Sequence, residues 1–164
     1  MKYAVIYQSK SGNTEMIACR IYDMLDTDKK VIINIDNDSQ IPDADVYYVG
    51  FGVHNNSCSM DVEKVLRSIK KGKVALFATC GFMPEDTYKE LIEKEVKEKL
   101  TEQTHYLGMF LCQGKVETDR KNIMVYKMPH SEKKLKEIFR VASVHPDEND
   151  LEAVSRFVDK LKDF

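Results

Sequence analysis

The sequence predicts an α/β protein whose mostly parallel sheet is covered by helices on both faces. Continuous apolar runs, typical of strands buried on both sides, alternate with stretches whose apolar residues recur at helical spacing. Right-handed crossovers between such elements make successive strands parallel. The chain has 164 residues, which predicts one domain, 1–164, with a substantial core.

Each predicted strand is an apolar run of five to seven residues. The five runs are Lys2–Tyr7, Val31–Ile35, Val46–Phe51, Val74–Thr79 and Tyr106–Cys112. Their apolar residues are consecutive rather than alternating, because neither face of the sheet is expected to contact water. The sequence therefore favours a central sheet with helices on both sides.

Helices are predicted wherever apolar residues recur every three or four positions. The segments with this spacing are Ile17 to Leu25, Val62 to Ile69, Pro84 to Leu100 and Leu151 to Leu161. Pro84 suits a first helical turn, since its φ is fixed and it has no N–H to leave unpaired. Asn149 or Asp147 is the expected cap of the last helix.

The stretch Gln113–Pro146 is less regular than the rest of the chain. A short strand is predicted at Ile123–Tyr126 and a charged helix near Glu132–Arg140. Two interpretations of the stretch stay open: a solvated excursion over the edge of the sheet, or a surface that contacts a partner or substrate.

Composition and charge exclude several classes of partner. The net charge of −2 creates no strong field for nucleic acid or an anionic membrane. No apolar run approaches the roughly 20 residues that cross a bilayer. The first strand begins at once, which leaves no room for a signal peptide. We therefore expect a cytoplasmic protein with no membrane span and no nucleic-acid partner.

The four cysteines, Cys19, Cys58, Cys80 and Cys112, are far apart and form no CxxC pair. That spacing argues against structural zinc and against a thioredoxin-type dithiol. The histidines likewise lack the spacing of metal ligands. We therefore predict reduced thiols and no metal site.

A polar segment rich in hydroxyl groups joins the first strand to the first helix: Ser9, Lys10, Ser11, Gly12, Asn13 and Thr14. The start of a helix leaves N–H groups unpaired and carries partial positive charge, which together attract an anion. Gly12 allows a tight turn, and three hydroxyls can donate to phosphate oxygens. The segment predicts a site for a terminal phosphate.

Two familiar phosphate loops are excluded by the residues present. A Walker A loop requires G-x-x-x-x-G-K-[ST], and here no lysine follows the single glycine. A dinucleotide loop requires three glycines in G-x-G-x-x-G after the first strand. The remaining alternative is a polar turn in which a serine or threonine merely caps the helix.

The run from Val5 to Thr14, VIYQSKSGNT, followed by Ala18 and Ile21, resembles the flavodoxin signature. An apolar pair, an aromatic residue, a hydroxyl residue, a small residue, threonine, alanine and an aliphatic residue follow in the family's order. The resemblance implies a flavodoxin-like three-layer sandwich with a five-stranded sheet in the order 2-1-3-4-5. It also implies FMN at the carboxyl ends of strands one and three, with Ser9 to Thr14 holding the phosphate.

The resemblance places the isoalloxazine ring between the loops that follow strands three and four. The residues expected there are Val53, His54, Asn55, Asn56 and Ser57 in one loop and Thr79, Cys80, Gly81 and Phe82 in the other. Backbone amides in such loops can hydrogen-bond the ring and tune its potential. Gly81 permits a peptide flip or a close approach. The chain has no tryptophan, so His54, Phe82 and the nearby Tyr88 are the candidates to flank the ring.

Cys58 and Cys80 fall in these two loops, and two interpretations stay open. They are either thiols that modulate or join flavin chemistry, or small apolar residues with no chemical role. No neighbouring histidine or lysine in the sequence activates either one.

Three functions are consistent with the sequence. The first, which we favour, is an FMN-binding redox protein that carries electrons to a partner oxidoreductase. The second is an FMN-dependent oxidoreductase that acts directly on a small molecule such as a quinone or a tetrapyrrole. The third is a binding module without flavin, which the intact Ser9–Thr14 segment disfavours. No catalytic residue is predicted.

Overall fold

The computed structural model describes residues 1–38 and 40–164. Five strands form one sheet, and every neighbouring pair is parallel. They are β1 (Tyr3–Tyr7), β2 (Lys30–Asn34), β3 (Val46–Gly52), β4 (Gly72–Cys80) and β5 (Thr104–Gln113). Their order is β2-β1-β3-β4-β5. The predicted order 2-1-3-4-5 is confirmed, and each predicted strand lies within two residues of its observed bounds.

Helices cover both faces of the sheet. They are α1 (Asn13–Met24), α2 (Met60–Ser68), α3 (Asp86–Lys97), α4 (Thr118–Lys127), α5 (Glu132–Ala142) and α6 (Glu148–Leu161). One core cluster joins the sheet to α1 and α6, and a second joins it to α2 and α3. The predicted three-layer sandwich is confirmed. Among the described residues, none of the helices combines the length and apolar character that a bilayer crossing requires.

The apolar runs of the sequence are explained by the two separate cores. In β1, Ala4 and Ile6 belong to the α2–α3 side, whereas Val5 belongs to the α1–α6 side. Successive strand residues point to opposite faces, so both sets must be apolar. In β4 the same alternation sends Leu76 to one core and Phe77 to the other.

Two helix starts show local capping. Ser59 caps α2 by accepting a hydrogen bond from the Val62 N–H at 3.2 Å. Asp147 caps α6, and its carboxylate and that of Asp150 form a reciprocal capping box. Of the two caps predicted for the last helix, the structure selects Asp147. A capping box satisfies two unpaired backbone N–H groups at once, which explains the choice.

Helix α3 is shorter than predicted at both ends. The sequence predicted Pro84 to Leu100, whereas the helix runs from Asp86 to Lys97. Glu85, at the N-cap, has extended dihedrals of φ −68° and ψ 153°. The helical conformation therefore starts after Glu85, and Pro84 belongs to the loop before it.

The prediction of a strand at Ile123–Tyr126 is wrong, because these residues lie in α4. A short apolar run suits either element, and here its neighbours decide. Residues 118–127 contain no glycine or proline, Asp119 is in the first turn and Lys127 is in the last. Met124 and Val125 pack against a third, smaller core formed with α5. The charged helix predicted near Glu132–Arg140 is confirmed as α5.

Candidate functional site

The residues predicted to form a site meet at the carboxyl edge of β1, β3 and β4. β1 lies between β2 and β3, so the connections from β1 and β3 leave the sheet in opposite directions and open a crevice there. The Val53 N–H donates to the Thr79 carbonyl at 2.8 Å. The hydroxyls of Thr14 and Thr79 lie 2.9 Å apart. These bonds hold the three loops together at one place.

The Ser9–Thr14 segment forms a tight turn that ends in a free helix start. Gly12 has a left-handed conformation, φ 89°, and its N–H donates to the Ser9 hydroxyl at 3.1 Å. In the described part of the chain, no side chain caps the first turn of α1. Its first N–H groups are therefore available, and they carry the positive end of the helix dipole. Ser11 and Lys10 are exposed beside them. The arrangement fits a phosphate group.

Thr14 has a second role that the sequence does not reveal. Its side chain and that of Thr79 are only 2% and 5% exposed, and the two hydroxyls share one hydrogen bond. One hydroxyl donates and the other accepts, so the pair keeps a single proton for a further acceptor. Thr14 therefore ties the first turn of α1 to the end of β4, in addition to its predicted role toward phosphate.

The loop after β3 is a tight two-residue turn rather than an open loop. The His54 and Ser57 backbones exchange hydrogen bonds of 2.9 and 3.0 Å. Asn55 and Asn56 between them have φ of 49° and 59°, the pattern of a type I′ turn. Asparagine tolerates this conformation better than most residues, which explains the Asn-Asn pair. The Ser57 hydroxyl is buried and has no hydrogen-bond partner among the described residues. An unpartnered buried hydroxyl of this kind is a candidate donor to a group bound at this edge.

The two cysteines near the site are held as neutral thiols. Cys80 is 4% exposed, and its Sγ donates to the Phe82 carbonyl at 3.2 Å. Burial raises the pKa of Cys80 to about 12. Burial also raises the pKa of Cys58. Since the thiolate is the reactive form, these environments fit small apolar residues better than redox-active ones.

Gly81 and Phe82 face the chain's own third core. A Cβ on Gly81 would lie 2.6 Å from Val116 Cγ2, so the close approach predicted for this glycine is made by Val116. Phe82 packs beside Val116 and meets Tyr88 edge to face, with ring centroids 6.1 Å apart. Phe82 is thereby fixed between β4 and the α4–α5 pair.

A fourth segment, Gly114–Arg120, completes the edge, and none of its residues was among the predicted site residues. We call it the rim segment. The Gly114 N–H donates to the Cys80 carbonyl at 2.8 Å, and Asn13 Nδ2 donates to the Lys115 carbonyl at 2.9 Å. Arg120 Nη2 donates to the Val53 carbonyl at 3.1 Å. The rim segment thus contacts all three predicted loops. The signal was available: Gln113 ends the strand next to β4, so the residues after it must emerge at the same edge.

A cavity and a cluster of titratable side chains elsewhere in the molecule are not assigned to this site. A cavity of 770 Å³ lies beside α2 and is lined in part by Ile35, Ile41 and Tyr47. None of the predicted site residues lines this cavity. His145 Nδ1 lies 2.6 Å from Asp150 Oδ2, in a group that also contains Asp147. Both carboxylates already form the capping box of α6, so we assign no ion to this group.

Comparisons with known proteins agree on one family. A family model described as a flavodoxin domain matches residues 4–159. A relative from Clostridioides difficile (strain CD3), named flavodoxin-like domain-containing protein BilS, is 28% identical over 169 residues, covering 98% of this chain and 96% of the relative. A protein of the same name from Clostridium symbiosum (strain WAL-14163) is 24% identical over 179 residues, covering 96% and 94%.

The solved structures agree on the fold. Oxidised flavodoxin 1 from Bacillus cereus superposes with a TM-score of 0.63 at 18% identity, covering 99% of this chain and 98% of that protein. A WrbA-like flavodoxin from Agrobacterium tumefaciens gives a TM-score of 0.53 at 13% identity, covering 87% and 96%. Likeness at this level of identity shows a shared architecture.

Proposed function

The chain belongs to the flavodoxin family, and from that premise we propose that it carries electrons to a partner oxidoreductase. The resemblance seen in its first 21 residues is confirmed by the family model over residues 4–159. Flavodoxins bind FMN, and FMN is the cofactor of this chain. The finer statement, that electrons pass to a partner protein rather than to a small molecule, is the proposal.

The uncapped start of α1 beside Gly12 is the observation that carries the FMN assignment in this chain. Its free N–H groups, with the hydroxyls of Ser9 and Ser11, would hold the phosphate. The turn Val53–Ser57 and the residues Thr79–Phe82 would hold the ring, with the buried Ser57 hydroxyl as one donor. Bound FMN supplies electron transfer in steps of one or two electrons.

Exposed apolar side chains next to the site favour transfer to a partner protein. Met60 follows the β3 loop and is 77% exposed, and Met83 in the β4 loop is 44% exposed. Ile123 is 53% exposed and lies one helical turn after Arg120. Large apolar groups exposed around a functional edge are typical of protein-docking surfaces. The four cysteines are free thiols, which fits the reducing cytoplasm, where we propose that the protein acts.

An anaerobic reductive titration of the FMN-loaded protein tests the proposal. We expect electrons to enter in two resolved one-electron steps, with transfer to a haem-protein acceptor when a flavin reductase is supplied. The chain alone should not oxidise NADH or NADPH with a quinone. Turnover of a quinone or tetrapyrrole by the chain alone would instead establish the enzymatic alternative. Absence of FMN binding would exclude both.

A pair of surface variants tests the docking part separately. Ile123→Asp places a charge among the exposed apolar groups and should slow transfer to the acceptor several-fold, with the FMN spectrum unchanged. Phe164→Asp makes the same kind of change at the C-terminus of the chain, where Phe164 is 66% exposed, and should leave the rate unchanged. Equal rates in both variants would argue against docking at this edge.

A further inference from the structure

Arg120 contacts the loop that follows β3. It is in the first turn of α4, and its Nη2 donates to the Val53 carbonyl at 3.1 Å and lies 3.5 Å from His54 Nδ1. Burial raises the pKa of Tyr88 in α3 to about 12, and the positive charge of Arg120 opposes that rise. The guanidinium therefore lies against the β3 loop, at the edge predicted for the flavin ring.

The backbone that carries Arg120 is fixed at several points. Gly114 is bonded to Cys80, Lys115 is bonded to Asn13, and Val116 is 6% exposed against Gly81. These contacts position the first turn of α4 relative to the three loops. Arg120 is thus a part of the site's framework.

The charge of Arg120 is not neutralised by a carboxylate. Three other arginines, Arg67, Arg140 and Arg156, each pair with a glutamate on the same helix. In residues 1–38 and 40–164, Arg120 takes part in no ion pair, and its partners are the Val53 carbonyl and the His54 ring. The exposed guanidinium therefore places a positive charge beside the β3 loop with no carboxylate in ion-pair contact.

We propose that Arg120 is a flavin-site residue whose positive charge favours the reduced cofactor. The inference rests on the proposed function. Reduction of bound FMN by a flavin reductase would add two electrons to the ring, and the solvent would supply one proton, so the ring would gain one negative charge. A fixed cation at the ring edge binds that state more tightly than the oxidised one and raises the midpoint potential. The planar guanidinium also suits contact with an aromatic system, in a chain with no tryptophan to flank the ring.

Neutral variants of the FMN-loaded protein test this role. In Arg120→Gln we expect the ratio of affinities for reduced over oxidised FMN to fall about tenfold, which lowers a two-electron midpoint potential by about 30 mV. Arg120→Met keeps the aliphatic stem and should behave alike. Arg120→Lys retains the charge, so its midpoint potential should stay close to that of the parent. The measurements are the midpoint potential and the dissociation constant of oxidised FMN, with far-UV circular dichroism as the check on folding.

Lys121 offers a matched control on the same helix. Its Nζ lies 6.0 Å from the centroid of the Phe139 ring, so its charge is directed at α5. Lys121→Gln removes the same charge from the neighbouring position. It should leave the midpoint potential unchanged.

Each outcome decides between distinct statements. If the parent fails to bind FMN, the proposed function itself is wrong. If the parent binds FMN and the folded neutral variants keep its potential, the inference about Arg120 is wrong and the proposed function stands. Equal losses of affinity for both redox states would assign Arg120 a purely structural role and overturn the inference. A potential shift as large in Lys121→Gln would also overturn it.

Discussion

At the scale of single residues, the site is built from groups that serve structure and ligand together. The Thr14–Thr79 pair joins the start of α1 to the end of β4 through two buried hydroxyls. Both residues fall within the predicted site, but their contact links positions 65 apart in sequence. The local sequence pattern was sufficient to predict Thr14 at the start of the helix. Its hydrogen bond with Thr79 could not be predicted, because that contact depends on the position of β4 next to β3 in the sheet.

Thr79→Val should destabilise the protein by about 1–3 kcal/mol, because it leaves the Thr14 hydroxyl buried without its partner. The double variant Thr14→Val with Thr79→Val should lose less than the sum of the single changes, since both polar groups are then removed. Urea unfolding of the three variants measures these free energies. Strict additivity would show that the pair does not interact.

Ser11→Asp should weaken FMN binding selectively. A carboxylate at this exposed position would repel the phosphate, by about 1.4 kcal/mol or tenfold in affinity. Riboflavin has no phosphate, so its affinity should change little, and the ratio of the two affinities measured by flavin fluorescence isolates the effect.

The control for Ser11→Asp is Gln103→Glu, which adds the same charge at the exposed residue before β5. It should change neither affinity. A parallel loss of FMN and riboflavin binding in Ser11→Asp would contradict phosphate binding at the Ser9–Thr14 segment.

At the scale of elements, the strands and the helices packed on them could be predicted, because both faces of each strand and one face of each helix contact a large core. Helix α4, in the stretch after β5, could not be predicted. It has no buried residue, and its apolar Met124 and Val125 gain a role only against α5. Sequence periodicity reports burial, so a helix held by a small peripheral core leaves a weak signal.

Leu135→Ala should loosen the α4–α5 pair while leaving the sheet folded. Leu135 is 3% exposed and belongs to the third core, with Val116, Phe139 and Ala142. We expect faster hydrogen exchange and faster proteolysis within 117–142, with β3 and β4 unchanged. A matched change in the α2–α3 core, Leu66→Ala, should instead lower global stability by about 2–5 kcal/mol. Equal effects on the sheet from both variants would show one cooperative unit.

At the scale of the whole molecule, buried tyrosines set a limit on alkaline stability. Burial raises the pKa of Tyr48 and of Tyr88 from 10.0 to about 12. Burial and a hydrogen bond with Glu93 raise the pKa of Tyr106. The folded state therefore keeps protons that the unfolded chain releases first.

The stability that these tyrosines contribute is fully present below pH 10 and is lost as the pH rises toward 12. In that window each should lower the free energy of unfolding by up to about 1.4 kcal/mol per pH unit. Urea unfolding followed by circular dichroism, with tyrosinate absorbance, measures it. In Tyr48→Phe the dependence on pH should be shallower. A flat profile, with all tyrosines ionising near 10, would contradict the prediction.

The rim segment joins two parts of the molecule that are packed separately. It contacts the phosphate turn, the β3 loop and the β4 loop, and it also supplies Val116 to the small core under α4 and α5. We expect a ligand bound across those loops to stabilise the contacts that the segment makes. The α4–α5 pair should be stabilised with them, by up to about 2.7 kcal/mol at a ligand concentration a hundred times the dissociation constant. We therefore expect loss of FMN to destabilise these two helices before the sheet. Their rate of hydrogen exchange should report whether the cofactor is bound.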